Sequence, residues 1–177
     1  MKLALISVSN KANILKLSDY LLDNSYSILS TGGTYNHILN NTEEKYHNRI
    51  IKISDYTDFP EILSGRVKTL HPKIYGGLLY DNSITNCNNE LNDNNIQKID
   101  IVVVNLYPFR ETIQNNFNKK DLESKAIENI DIGGVSLIRA AAKNYKNVTV
   151  LVNDSDYENI ISNNLNLNLD ERRILAG

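Results

Sequence analysis

The sequence predicts an α/β fold in which a mainly parallel sheet is covered by helices on both faces. Three observations lead there. Strand-like runs recur at residues 3–8, 27–30, 50–53, 99–106 and 148–152, and the first and fourth are almost wholly apolar, as in strands buried on both sides. Between most of these runs, apolar residues return at helical spacing. Seven of the eight glycines and all three prolines fall in or beside the turns that join the two kinds of segment. Right-handed crossovers then set successive strand-to-helix turns along one edge of the sheet, where a cleft can form.

With 177 residues, 41% of them hydrophobic, and a formal charge of -2, the chain reads as one soluble domain with a substantial core. Near neutrality excludes a nucleic-acid coat or a polybasic membrane patch, so the partner is expected to be a small molecule, with no nucleic acid and no membrane. Cys87 has no second cysteine to bridge to, which fits a reducing compartment. Polar Ser7, Ser9, Asn10 and Lys11 cut the opening apolar run too short for a signal peptide. No run approaches a membrane span. A cytoplasmic protein is expected.

Along the chain, residues 3–8 form a first central strand, which ends in Ser7-Val8-Ser9-Asn10-Lys11 before a helix carrying Ile14, Leu15, Leu17, Leu21 and Leu22. The hydroxyls and Lys11 thus fall at a helix amino end, where unpaired amides attract anions. The same residues would serve equally as a plain helix cap. Residues 27–30 and Thr31-Gly32-Gly33-Thr34 repeat the arrangement, and glycines flanked by hydroxyls can cradle a phosphate. Residues 40–48 read as a polar connector, and Ile50, Ile51 and Ile53 as a third strand. Residues 81–95 are asparagine-rich, in a chain with about 27 asparagines, several-fold more than ordinary usage. They read as a surface excursion of poor helix propensity. Residues 99–106 form the most hydrophobic strand, with Asn105 and Tyr107 at its carboxyl end, where ligands bind in open parallel sheets. Helical stretches at about 108–116 and 122–127 lead to Asp131-Ile132-Gly133-Gly134 and a helix in which Arg139 and Lys143 share one face. Asp131 as a helix cap, with Arg139 and Lys143 merely solvated, is the alternative reading there. A last strand at 148–152 and a helix at 154–163 complete the domain, and a charged helical pattern begins after residue 164.

The densest chemistry lies in Gly65-Arg66-Val67-Lys68-Thr69-Leu70-His71-Pro72-Lys73, which holds three cations and no carboxylate. A solvated charge run is the ordinary explanation. Pro72, with Gly65, Gly76 and Gly77 on either side, points instead to a rigid loop that approaches an anion closely. No dinucleotide fingerprint, Walker loop or cysteine–histidine cluster accompanies it. His37, His47 and His71 are too scattered to argue for a metal.

These segments resemble the inosine monophosphate cyclohydrolase domains of bifunctional purine biosynthesis enzymes. Arg-Val-Lys-Thr-Leu-His-Pro is the most specific match, followed in order by Asn-Leu-Tyr-Pro-Phe at 105–109 and Asp-Ile-Gly-Gly at 131–134. The resemblance implies a methylglyoxal-synthase-like, three-layer α/β/α domain over residues 1–163. It also implies dehydrating closure of a formylated aminoimidazole carboxamide ribotide to inosine monophosphate, with no cofactor and no metal. It places Ser9, Asn10, Lys11, Thr31, Gly32, Gly33, Thr34, Arg66, Val67, Lys68, Thr69, Val104, Asn105, Asp131 and Ile132 around the nucleotide. It places Lys68, Tyr107, Asp131 and Lys143 around the reacting groups. Asn10 stands where the family usually has aspartate. Residues 164–177 resemble the start of a linker to a formyltransferase domain, so a fragment of a bifunctional chain is expected, with a freestanding cyclohydrolase as the alternative, in either case working as a homodimer. A nucleotide-sensing regulatory module and a methylglyoxal synthase are the rival readings of such a fold. The first would need the phosphate cradle without the lysine, tyrosine and aspartate set. The second would have no use for the basic loop.

Overall fold

The computed structural model describes residues 2–106 and 119–177. Five strands, β1 (Lys2–Val8), β2 (Tyr26–Ser30), β3 (Ile50–Lys52), β4 (Ile101–Asn105) and β5 (Thr149–Leu151), pair in the order β3-β2-β1-β4-β5. Every pairing in this sheet is parallel. The central position of β1 follows from its composition, since Leu3, Ala4, Leu5 and Ile6 are all fully buried. Alternate residues of each strand serve two separate cores. Ala4, Ile6, Ile28, Ile101 and Val103 face α1 (Ile14–Asp23), α2 (Gly32–Asn41) and α8 (Asp154–Ser162). Leu3, Leu5, Leu29, Val102 and Val104 face α3 (Ile53–Thr57), α4 (Pro72–Leu79), α5 (Cys87–Asp93) and α7 (Gly133–Lys143). The result is the expected three-layer α/β/α arrangement.

Several expectations change. Ile53 does not extend β3 but begins α3, where it remains buried as a helix residue. The asparagine-rich stretch is not helix-free. Cys87 and Leu91, four apart, are both buried in α5, so tertiary burial of one apolar stripe overrides the poor local propensity. The connector after α2 ends in a 3-10 turn, Glu44–Arg49. Gly76 and Gly77 do not loosen a loop. They lie inside α4, and a Cβ on Gly77 would stand 2.5 Å from the Gln97 carbonyl oxygen. Helix α6 (Lys119–Glu128) is longer than the spacing indicated, and the helix expected near 108–116 lies outside the described residues. Finally, α9 (Leu169–Leu175) opens on a capping box formed by Asn168 and Glu171 and packs toward β5, with Leu175 against the core.

Candidate active site

The parallel register brings the carboxyl ends of β1, β2 and β4 to one edge, pairing Ile6 with Ser30 and Val8 with Asn105. There a cleft of about 790 Å³ opens between these strand ends, the 64–70 segment and residues 127–134. Its floor is polar although buried. Thr34 Oγ1 donates to the Val8 carbonyl at 3.0 Å and accepts the Val8 N–H at 3.3 Å. Ser30 Oγ donates to the Ile6 carbonyl at 2.7 Å. These bonds seat the amino end of α2 against the tip of β1. Gly33 faces Lys11, because a Cβ there would lie 3.9 Å from Lys11 Nζ. An ammonium group therefore stands over the first turn of a ten-residue helix, whose unpaired amides and dipole also favour an anion.

Asn105 shapes the neighbouring turn. Its Oδ1 accepts the N–H groups of Ser9 at 2.7 Å and Asn10 at 3.0 Å, and its Nδ2 donates to the Asn10 carbonyl at 2.8 Å. Behind it, the Tyr157 hydroxyl is buried with no partner in good hydrogen-bond geometry, and burial outweighs the lowering effect of the nearby Asn105 amide and raises its pKa to about 12.

The facing wall is made from the basic segment. Ile62 and Val67 form an isolated antiparallel bridge, and the tight turn between them is left-handed at Leu63 (φ 53), Ser64 (φ 56) and Gly65 (φ 82). Only Gly65 adopts such a φ without steric cost. Thr69 is 5% exposed, and its Oγ1 lies 2.8 Å from where a Gly133 Cβ would sit. His71 does not face the cleft. It caps α4, its Nδ1 accepting the Lys73 N–H at 3.2 Å just before Pro72 at the first helical position.

The basic segment is less naked than its sequence suggests. Lys73 Nζ pairs with Asp58 at 3.1 Å and donates to the Tyr56 carbonyl at 3.2 Å, so it is held away from the cleft. Arg66 pairs through two prongs with Glu128, and this bond raises the pKa of the guanidinium while lowering that of the carboxyl.

At the third wall, Asp131 Oδ1 accepts the Gly134 N–H at 2.7 Å, so Asp131 does cap the start of α7. A Cβ on Gly134 would come within 2.6 Å of Asp131 Oδ2, which makes glycine a requirement for this placement of the carboxylate.

The cleft thus gathers Ser9, Lys11, Thr31, Gly33, Thr34, Arg66, Lys68, Thr69, Asn105, Asp131 and Ile132. It does not gather every residue that the sequence pointed to. The Asn10 side chain accepts the Ala12 N–H at 2.9 Å and stabilises its own turn. Gly32 stands beside the cleft, its Cβ position 3.9 Å from Glu61. Val67 is held in the bridge, and Val104 is buried in the core. Lys143 is exposed in the last turn of α7, about 15 Å along the helix axis from Gly133. Tyr107 lies outside the described residues. Sequence reasoning missed Glu128, Ile130 and Leu70 as lining residues. For Glu128 the available signal was a carboxylate only three residues before Asp131. Among the described residues there is no group of three or more histidine, cysteine or acidic side chains that could hold a metal ion, and no helix is long and apolar enough to cross a membrane.

Residues 13–136 match the family described as MGS-like domain. The chain is 52% identical over 160 residues to the bifunctional purine biosynthesis protein PurH of Thermoanaerobacter sp. (strain X514), a match covering 90% of this chain and 30% of that protein. It is 47% identical over 171 residues to the PurH protein of Staphylococcus aureus (strain USA300), covering 97% of this chain and 33% of that one. The chain therefore spans about a third of the length of these curated relatives. The crystal structure of ForH superposes with a TM-score of 0.81 at 29% identity, over 99% of this chain and 88% of ForH.

Proposed function

This chain belongs to the MGS-like domain family, and from its likeness to PurH proteins we propose that it is the inosine monophosphate cyclohydrolase part of a bifunctional purine biosynthesis protein. Its substrate would be 5-formamidoimidazole-4-carboxamide ribotide. The observation that carries the reading is the convergence of Lys11, Lys68 and Asp131, from three separate segments, on one cleft at the strand ends.

The phosphate of such a ribotide suits the amino end of α2, where Lys11 offers charge and the Gly33 amide and Thr31 hydroxyl offer donors, the Thr34 hydroxyl being already spent on Val8. Ring closure then joins the carboxamide nitrogen to the formyl carbon. One proton leaves that nitrogen, a second leaves the formamide nitrogen as the C=N bond forms, and the formyl oxygen departs with both as water. No electrons are gained or lost overall, so no redox cofactor is called for. A poorly basic amide needs its proton taken as it attacks, and the developing oxyanion needs donors already aimed at it. Lys68 supplies a cation to the oxygen. Asp131, anchored through Oδ1 to the Gly134 N–H, would orient the amide or relay its proton. Tyr107 and Lys143 enter this mechanism through the resemblance of their motifs. The remainder of a bifunctional protein would carry formyl transfer, and the working unit would be a homodimer.

The test is direct. Purified chain incubated with the formylated ribotide should release inosine monophosphate, and it should not consume formyl-folate with the unformylated precursor. Lys68→Met should lower turnover by about 10² or more, the scale of a lost acid–base or electrostatic group. Absence of product with the intact chain would remove the assignment.

A further inference from the structure

Arg66 holds an anion inside the cleft wall. Its Nε donates to Glu128 Oε1 at 3.3 Å and its Nη2 donates to Oε2, so the planar guanidinium meets the carboxylate as a fork. A guanidinium recognises phosphoryl oxygens with this same two-pronged geometry. The partners are 62 residues apart in sequence and come from opposite walls, Arg66 from the left-handed hairpin and Glu128 from the last turn of α6. Their side chains remain 66% and 57% exposed. Solvent screens such a pair, so it adds little to stability and exchanges easily. Among the described residues, neither of the other cleft cations, Lys11 and Lys68, forms a salt bridge.

We propose that Glu128 is a built-in stand-in for the phosphate that Lys11 and the amino end of α2 would hold from the other side of the same cleft, keeping Arg66 in register until the ligand's oxyanion displaces it. The inference rests on the nucleotide reading above and adds to it a residue that sets affinity and discrimination. Only a ligand carrying an oxyanion can complete the exchange. An uncharged analogue must bind beside an intact Arg66–Glu128 pair and gains nothing from the arginine.

Calorimetric titration of the intact chain with inosine monophosphate and with inosine, across Glu128→Gln, Arg66→Gln and the double variant, tests this. Glu128→Gln should tighten inosine monophosphate binding about threefold, the scale of an exposed ion pair, and leave inosine unchanged. In the Arg66→Gln background the same substitution should have no effect. Weaker or unchanged monophosphate binding by Glu128→Gln overturns the proposal. So does an equal gain in the Arg66→Gln background, which would reveal simple repulsion between the carboxylate and the ligand. Inorganic phosphate is the second probe, followed by the Arg66 Nε–H signal in nitrogen-15 NMR. That signal should move at lower phosphate concentration in Glu128→Gln than in wild type, and identical titrations overturn the exchange. If no variant binds the monophosphate, the nucleotide reading fails while the phosphate titration still decides the role of Glu128. Both side chains are exposed, so the variants should fold, which thermal unfolding checks.

Discussion

Asn105 and Asn10 exchange two hydrogen bonds across the tips of β4 and β1, backbone N–H to Oδ1 at 3.0 Å and Nδ2 to backbone carbonyl at 2.8 Å. With the further bond from the Ser9 N–H, the Asn105 amide has both acceptor sites and one of its two donors committed to a turn. Its contribution to a ligand therefore runs chiefly through that turn. Asn105→Ala should cost about 1–2 kcal/mol of stability and weaken inosine monophosphate binding about tenfold. Urea unfolding and titration measure the two effects, and a variant that loses neither would show that the turn stands without the clamp.

Lys11 follows the same logic at the next residue. Lys11→Ala should raise the nucleotide dissociation constant about tenfold, or about 1.4 kcal/mol, with little change in stability because its ammonium bonds only weakly to the Ser9 carbonyl at 3.4 Å. The loss should shrink as salt rises. An unchanged constant at low salt would move the phosphate elsewhere.

Gly134→Ala should push the Asp131 carboxylate and the Leu106 side chain aside, since the added methyl would stand 2.6 Å and 2.9 Å from them. The expected stability loss is about 1–3 kcal/mol. Under the proposed mechanism turnover should fall further than stability accounts for, because the displaced carboxylate would be the one that orients the amide or relays its proton. Wild-type turnover in a folded variant would take Asp131 out of the mechanism.

Tyr157→Phe removes a buried hydroxyl with no partner in good hydrogen-bond geometry, so stability near neutral pH should hold level or rise, by up to about 1 kcal/mol. In alkali the variant should gain over wild type. The native pKa is raised to about 12 from 10.0, so the unfolded chain loses its proton first. Wild-type stability then falls as pH rises from about 10 to about 12, and that contribution is absent from the phenylalanine variant. Unfolding curves at several alkaline pH values, compared pairwise, measure the difference.

The sheet and two walls of the cleft were legible because their signals are local. The run Leu3-Ala4-Leu5-Ile6 and the valines at 102–104 announce central strands, and the Thr31–Thr34 turn and residues 66–69 announce polar ends. Pairings across long sequence distances were not legible. Within nine residues the basic segment shows no carboxylate, yet Arg66 meets Glu128 and Lys73 meets Asp58 once the chain folds. The Cys87–Leu91 stripe escaped notice among asparagines because burial, rather than propensity, makes that helix. Motif likeness also says nothing about how far a residue stands along a helix, which is why Lys143 joins the reacting set by sequence and sits at the exposed end of α7 in space.

The place of β1 between β2 and β4 bears on how the protein emerges from the ribosome. One edge of β1 is covered early, by β2, but the other waits for a strand about 97 residues downstream, the separation between Leu3 and its partner Asp100. At ordinary rates of synthesis that interval is roughly 5–20 s. During it the nascent chain carries an open, largely apolar strand edge, the kind that recruits other chains. Because the Asn105 clamp arrives with the same late strand, the Ser9–Asn10 turn of the cleft is fixed in the step that closes this hazard, and the wall at residues 127–134 follows.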